Sequence, residues 1–296
     1  MTSAAFARPP GVRRRLAAFL YRHPRLQLRL LLAAPLAWVV VAYVGSLAVL
    51  FANAFWRLDS FTGKVVFEPT LDNFVTLFST AVYRTLALRT VGMAVLVTAT
   101  CIALAFPIAY YMARIASRRV RGLLVVAVLM PLWASYLVKV YAWRTMLLGH
   151  GVINWALAPL GIHGPGTGEV AIWLVFTYLW LPYMVLPIYA GLERIPGSLL
   201  EASSDLGARA GFTFRRVVLP LVLPAVVAGS IFTFSLTLGD YITPQLVSNT
   251  KLLGNAIYDA LGVPNLPLAA AIASIPVVVI VAYLLVARRL GAFESL

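Results

Sequence analysis

The side chains that most often carry out chemistry are few and scattered in this sequence. Cys101 is the only cysteine, so a disulfide within the chain and a thiolate zinc site are both excluded. His150 and His163 are 13 positions apart with no carboxylate or thiol nearby, which argues against a metal site. Gly63-Lys64 lacks the upstream glycine of a phosphate-binding loop, and neither His-Glu-x-x-His nor Gly-x-Ser-x-Gly occurs. We therefore predict that the chain has no catalytic residue, no metal and no cofactor of its own.

The acidic residue best placed to recognise a solute is Asp240, which is followed by Tyr241 near the end of an apolar run. A carboxylate beside an aromatic face attracts cations, and a charge close to a membrane core is a candidate for function. The alternative is that Asp240 pairs with a basic neighbour or caps the helical turn after it. Other aromatic residues could face a solute, although packing and interfacial roles are commoner: Trp133, Tyr136, Trp180 and Tyr183.

The composition places these residues in a membrane protein. Of the 296 residues 61% are hydrophobic and only 11% are charged, which is too little polar surface for a water-soluble domain. The net charge of +14 does not indicate nucleic-acid binding. The basic residues lie in short clusters between apolar runs and not in a stripe with interleaved aromatics.

Six runs are long and apolar enough to cross a membrane, which takes about 20 residues. They predict an all-α bundle with spans at 30–55, 90–112, 122–142, 170–192, 219–238 and 266–287. The first run resembles a signal peptide in its preceding arginines. Its apolar stretch is too long, and Ala52-Asn53-Ala54 is a weak cleavage match, so a retained anchor is favoured.

The distribution of arginine predicts the orientation. With the N-terminus in the cytoplasm, seventeen of the 24 basic residues fall on the inner side, in 1–29, 113–121, 193–218 and 288–296. We therefore expect both termini to be cytoplasmic. The expected organisation is an arginine-rich segment 1–29, a first span with its outer loop at 30–89, a five-helix core at 90–287 and a tail at 288–296. In the outer loop, Thr70 or Asp72 is expected to cap a short helix through Phe74 and Phe78.

The inner loop between the fourth and fifth spans is much longer than a simple turn requires. Pro196 should stop the fourth span, and Ser198 with Glu201 has the spacing of a capping box. Gly207 and Gly211 offer places to turn, since glycine tolerates positive φ. Thr213 is expected to cap a second short helix before the chain re-enters the membrane. The loop therefore predicts a helix–turn–helix.

The register of this loop resembles a known family. Glu201-Ala202-Ser203 is followed after three residues by Gly207, then after nine by Val217, and then by Leu219-Pro220. This is similar to the EAA loop of ABC importer permeases, which reads Glu-Ala-Ala, three residues, Gly, nine, Ile, one, Leu-Pro. The two departures, Ser203 and Val217, are conservative in size.

The resemblance implies a type I ABC importer permease in the bacterial inner membrane. The loop would be the coupling helix that docks on a dimer of cytoplasmic ATPase subunits, which would bind the ATP and Mg²⁺. A second homologous permease, favouring a heterodimer, and an extracytoplasmic solute-binding protein would complete the assembly. The residues that the resemblance assigns to coupling are Glu201, Ala202, Ser203, Asp205, Gly207 and Gly211.

Three further segments, 131–143, 149–154 and 238–244, resemble the spermidine/putrescine branch of that family. The branch implies a polyamine or a related cationic or opine compound, with a different small solute as the alternative. An ion-coupled secondary transporter would need discontinuous spans and acidic residues at the midplane. It leaves the long loop unexplained. A membrane enzyme acting on lipid or peptide would need a catalytic cluster that the sequence lacks.

Overall fold

The computed structural model describes residues 21, 23–59, 61–263 and 265–289. Most of the predicted arginine-rich segment 1–29 and of the tail 288–296 lies outside these residues. The elements in chain order are α1 Pro24–Asn53, β1 Arg57–Leu58, β2 Val65–Val66, α2 Asp72–Ser79, α3 Ala81–Ile115, α4 Arg118–Trp133, α5 Tyr136–Leu147, α6 Val152–Leu157, α7 Glu169–Glu193, α8 Gly197–Asp205, α9 Ala210–Gly239, α10 Ile242–Val247, α11 Leu253–Gly262 and α12 Leu266–Arg289. Short π-helical stretches lie within α1, α3 and α9, at Val40–Gly45, Tyr111–Ile115 and Phe214–Val218.

The chain divides into two compact units, Met1–Asn53 and Ala54–Leu296. In the described part of the first unit, α1 is a 30-residue apolar helix whose large side chains, such as Trp38 and Val41, are exposed. A helix with this length and composition is suited to hydrocarbon.

Five of the described helices are long and apolar enough to span a membrane: α1, α3, α7, α9 and α12. The third predicted span, 122–142, is not one continuous helix. It divides into α4 and the helical stretch Tyr136–Leu160, which meet at a bend of 95°. The two together count as a sixth crossing if the bent pair is one span.

The break lies at Ala134 and Ser135, whose backbones are extended, with ψ angles of 142° and 136°. Pro131 lacks the N–H that an uninterrupted helix would use at that position. Its carbonyl oxygen accepts a hydrogen bond from Lys139 Nζ at 3.0 Å. A cationic side chain thus satisfies a carbonyl that the break would leave without a partner, which a hydropathy pattern does not reveal.

The second unit is organised around α7, the most buried of the spans. Its side chains pack against α3 and α9, and Phe176, Met184 and Ile188 are fully buried. At the α7–α9 crossing, Gly191 lies against Ala225. A Cβ on Gly191 would come within 2.6 Å of the Ala225 Cβ. This close backbone approach sets the distance between the two helices.

The predicted outer helix is confirmed as α2, but its N-cap is Leu71, so the prediction that Thr70 or Asp72 caps it is wrong. The Thr70 hydroxyl lies just before the helix and accepts the Asp72 N–H at 3.1 Å. The Asn73 side chain donates to the carbonyls of Ala54 and Trp56 and so ties α2 to the segment before it. That segment contains the two-residue antiparallel pair β1–β2, in which Arg57 is opposite Val66. This pair was not predicted, but the fold is otherwise helical, as expected.

Candidate coupling loop and solute-facing cluster

The predicted helix–turn–helix is present in the loop between α7 and α9, but its capping differs from the prediction. Helix α8 begins at Gly197 with Pro196 in the N-cap position and no side-chain cap. Ser198 therefore lies inside the first turn, and the predicted capping box with Glu201 is wrong. The reason is that the helix starts two residues earlier than expected, with the N-cap at Pro196 and not at Ser198. A proline ring fixes φ but provides no acceptor to the first-turn N–H groups.

The turn forms at Gly207, as predicted, with φ of +76°. Its N–H donates to the Ser204 carbonyl at 2.8 Å, and the Ala208 N–H donates to the Ser203 carbonyl at 3.1 Å. The prediction that Gly211 also turns the chain is wrong. Gly211 lies within the first turn of α9, because the helix begins at Ala210.

Thr213 also lies inside α9 and does not cap it. Its hydroxyl instead forms a hydrogen bond of 2.8 Å with the Ser203 hydroxyl. This bond joins α8 to the start of α9. The departure of Ser203 from the alanine of the family pattern therefore has a structural use that the sequence alone did not reveal.

The side of the loop that faces away from the helices is not covered by other described residues. Glu201, Ala202 and Asp205 are exposed, and the Leu206 side chain at the tip is 89% exposed. A shallow groove of about 380 Å³ runs beside the tip between Ser203 and Phe212. An exposed leucine beside a groove is the type of surface that a protein partner covers.

Asp240 directly follows the last residue of α9. Its carboxylate binds the first N–H groups of the next helix, α10. Oδ1 accepts the N–H groups of Ile242 at 2.8 Å and Thr243 at 3.0 Å. The capping alternative for Asp240 is therefore present in the structure. The basic-neighbour alternative is not, because the ion pairs among the described residues are Arg89–Glu169, Arg121–Glu193 and Lys251–Asp259.

The second oxygen of Asp240 accepts hydrogen bonds from the hydroxyls of Tyr136 and Thr243. The Tyr136 and Thr243 hydroxyls are themselves 2.7 Å apart. The three side chains join the start of α5 to the start of α10. Thr243 was missed in the sequence, although a hydroxyl three residues after a capping aspartate is a recognisable signal.

Aromatic rings continue this cluster along α7. The Trp180 ring stacks on Tyr136 with centroids 6.3 Å apart, and Tyr183 lies 6.1 Å beyond it, against Phe232. Trp180 is 8% exposed, and its indole N–H has no hydrogen-bond partner in the described part of the chain. The Asp240 cluster, defined as Tyr136, Trp180, Asp240 and Thr243, therefore contains three of the predicted solute-facing residues.

Two more of the predicted residues, Trp133 and Tyr241, lie apart from the Asp240 cluster. Trp133 is at the end of α4 and is 84% exposed. The Tyr241 ring stacks on Tyr258 of α11, with centroids 4.9 Å apart. Tyr241 was predicted to lie with Asp240 because the two residues are adjacent in the sequence. The side chains diverge because Asp240 is directed towards α5 and Tyr241 towards α11.

Comparison with known proteins agrees with this architecture. Residues 105–293 match the family model of the binding-protein-dependent transport system inner membrane component. The chain is 46% identical to the inner membrane ABC transporter permease protein YdcU of Escherichia coli K12, over 97% of this chain and 96% of that protein. It is 31% identical to the spermidine/putrescine transport system permease protein PotB of the same organism, over 74% of this chain and 81% of that protein.

Among solved structures, the fold is similar to a chain of the bacterial alginate ABC transporter in complex with alginate pentasaccharide-bound periplasmic protein. The TM-score is 0.72 at 17% identity, covering 94% of this chain and 97% of that chain. The family match, the identity to two permeases and the set of apolar helices lead to one assignment. The chain belongs to the binding-protein-dependent transport system inner membrane component family, and it is a multi-pass inner-membrane permease subunit of an ABC importer, not an enzyme.

Proposed function

We propose that this permease carries a polyamine such as spermidine or putrescine, or a closely related cationic compound, by alternating access. The observation that carries the proposal is the Asp240 carboxylate, which has no basic partner among the described residues and lies beside the stacked rings of Tyr136 and Trp180. A carboxylate next to aromatic faces attracts an ammonium group. The similarity to PotB supports the same class of solute.

The second part of the proposal concerns the energy source. ATP would be hydrolysed by a dimer of cytoplasmic ATPase subunits docked on α8 and the Gly207 turn, through Glu201, Ala202, Ser203, Asp205, Gly207 and Gly211. The exposed tip at Leu206 and the groove beside it support docking. A short helix continuous at both ends with long spans can transmit movement into the membrane as a unit. ATP and Mg²⁺ would belong to the ATPase subunits.

The complete importer would contain a second, homologous permease, which we propose to be a distinct chain, and an extracytoplasmic solute-binding protein. Both termini of this chain would be cytoplasmic. The concentration of arginines in 113–121 and in 193–218, which contains the α8 loop (residues 194–209), supports that orientation.

A second candidate solute class is favoured by Trp180. A buried indole N–H without an acceptor has lost its bond to water, which is costly unless a ligand or water supplies the acceptor. A solute with an amine at one end and a carboxylate or amide oxygen at the other, such as an opine, would provide both charge and acceptor. The two candidates differ in whether the solute needs that oxygen.

The test is solute uptake by cells of the host in which this gene is deleted and other polyamine importers are absent. Restoring the gene should restore saturable uptake of labelled putrescine or spermidine. Asp240→Asn should lower that uptake about tenfold, equivalent to about 1.4 kcal/mol. The amide keeps an oxygen for the Ile242 and Thr243 N–H groups, so the variant removes mainly the charge.

Asp259→Asn, at an exposed carboxylate paired with Lys251, is the matched control and should leave uptake unchanged. If the restored gene gives opine uptake and no polyamine uptake, the second solute class replaces the first. Polyamine uptake at the wild-type level in Asp240→Asn would remove Asp240 from the solute path.

A further inference from the structure

Two arginines outside the predicted coupling residues bind groups at the end of α7, from which the chain leads into α8. Arg114, in the last turn of α3, donates through Nη2 to the carbonyl oxygens of Leu192 at 2.6 Å and Ile195 at 2.9 Å. These carbonyls lie at the end of α7 and in the short link to α8. The last carbonyls of a helix have no partner within the helix, so a guanidinium from another helix satisfies them.

Arg121, in the first turn of α4, completes the connection. Its Nε donates to the Met112 carbonyl at 3.0 Å and its Nη2 to the Ala113 carbonyl at 3.2 Å, both at the end of α3. Its Nη1 forms an ion pair of 3.2 Å with Glu193, the last residue of α7. One planar guanidinium therefore joins the start of α4 to the ends of α3 and α7. A lysine ammonium lacks the fixed fork of donors needed to hold these acceptors in one geometry.

The other end of the loop also contacts α3. Phe214, which follows the first turn of α9, packs edge-on against Phe106 of α3 with ring centroids 5.3 Å apart. The link residue Ile195 is 5% exposed and belongs to the main core, whereas Leu206 at the tip is 89% exposed. The tip of the loop, at Leu206, is thus uncovered by described residues, whereas both ends of the loop, at Ile195 and Phe214, contact α3.

We propose that Arg114 and Arg121 are positioning residues for energy coupling, which transmit displacement of α8 to the end of α3 and the start of α4. The proposal rests on the proposed docking of ATPase subunits at the α8 loop. With both arginines in place, α8 cannot move without displacing the end of α3. Without them, α8 still docks through its exposed tip. Its movement then changes only the conformation of the link 194–196 and does not displace α3.

The proposal is tested in the complete importer reconstituted in proteoliposomes, with Arg114→Gln and Arg121→Gln as the variants. Two quantities are measured: cross-linking to the ATPase subunit from a photo-reactive amino acid at Leu206, and solute transported per ATP hydrolysed. Cross-linking should remain at the wild-type level. Solute transported per ATP should fall at least about fivefold, the lower end of common allosteric couplings.

Arg119→Gln is the matched control, because Arg119 is an exposed arginine of the same cluster, two residues before Arg121. It should change neither quantity. Where a glutamine variant lowers the amount of assembled complex, Arg114→Lys and Arg121→Lys keep the charge and are measured instead. They should give intermediate transport per ATP, because they keep only part of the bonding.

Wild-type transport per ATP in assembled Arg114 and Arg121 variants would overturn the proposal. A loss of cross-linking together with transport would also overturn it, because the arginines would then act on docking itself. Failure of the proposed function looks different: the wild-type complex would give no cross-link from Leu206 at all.

Discussion

Tyr136 donates its hydroxyl hydrogen to the Asp240 carboxylate across 104 positions of the chain. The bond joins the helix after the break in the third apolar run to the helix after the fifth span. The break directly before Tyr136 is therefore a requirement for this contact, since α5 departs from α4 at 95°. A bend that disrupts a predicted span thus brings an aromatic hydroxyl to a carboxylate.

Removing that hydroxyl should weaken both the fold and transport. Tyr136→Phe takes a donor from Asp240 and a partner from Thr243, so we expect a loss of about 1 kcal/mol of stability and a lower melting temperature of the purified protein. Uptake of the cationic solute should fall as well. Tyr141→Phe is the control on the same helix, because Tyr141 is 48% exposed and makes no such bond with another described residue. Equal melting temperatures for the two variants would show that the Tyr136–Asp240 bond contributes nothing.

The close crossing of α7 and α9 at Gly191 gives a second prediction. Gly191→Ala would bring a methyl group within 2.6 Å of the Ala225 Cβ, which is attached directly to the α9 backbone and cannot rotate away. We expect a cost of about 1–3 kcal/mol from overpacking, measured by thermal unfolding in detergent. Gly92→Ala, in the exposed part of α3 where an added Cβ meets nothing within 4 Å, should be neutral or slightly stabilising. A Gly191→Ala protein as stable as wild type would show that α7 and α9 are not held at this distance.

The hairpin outside the spans should respond to acid in a defined direction. The Phe61 N–H donates to Asp59 Oδ1 at 2.8 Å, and the Thr62 hydroxyl donates to Oδ2 at 2.9 Å. These bonds lower the pKa of Asp59 below its ordinary value, with the Phe61 N–H as the main cause. Because the pKa is depressed in the folded state, the stabilisation is present above the ordinary aspartate range and is lost as the pH falls through the lowered value.

Hydrogen exchange of the segment 57–66, corrected for the intrinsic effect of pH, measures this. Protection should persist through the ordinary aspartate range and disappear below it. In Asp59→Asn the pH-dependent step should be absent. Loss of protection at a pH above the ordinary aspartate value would contradict the role of the carboxylate.

The apolar runs predicted the helical class and the approximate positions of five spans, because burial in lipid leaves a direct trace in composition. The ends were less predictable. Helix α3 begins at Ala81 and not at 90, and α9 begins at Ala210 and not at 219. Arginines near the start of both helices, Arg84 and Arg89 in α3 and Arg215 and Arg216 in α9, interrupt the apolar pattern there. The break at Ala134 was equally hidden, because the hydrogen bond from Lys139 to the Pro131 carbonyl leaves no trace in the hydropathy pattern.

In the candidate sites, too, some features were predictable from the sequence and others were not. Gly207 was predictable, since a positive φ has few solutions other than glycine. Ser198 and Thr213 were placed at caps by spacing alone, and the proline and the early start of α9 moved both into helices. The Asp240 cluster was predicted only in part. Nothing in the sequence shows that Tyr136 and Asp240 meet, or that Tyr241 packs on Tyr258.

The central claim is that this permease is driven by ATPase subunits through the α8 loop, and Gly207 gives the most direct test. Gly207→Leu places a side chain at φ of +76°, which costs about 1–2 kcal/mol and distorts the turn at the tip. Gly92→Ala, inside α3 with open space around the added Cβ and outside the docking residues, is the control. The measurement is stimulation of ATPase activity by the loaded solute-binding protein in the reconstituted importer. We predict that Gly207→Leu assembles but loses the stimulation, whereas Gly92→Ala keeps it; wild-type stimulation in assembled Gly207→Leu would contradict the account.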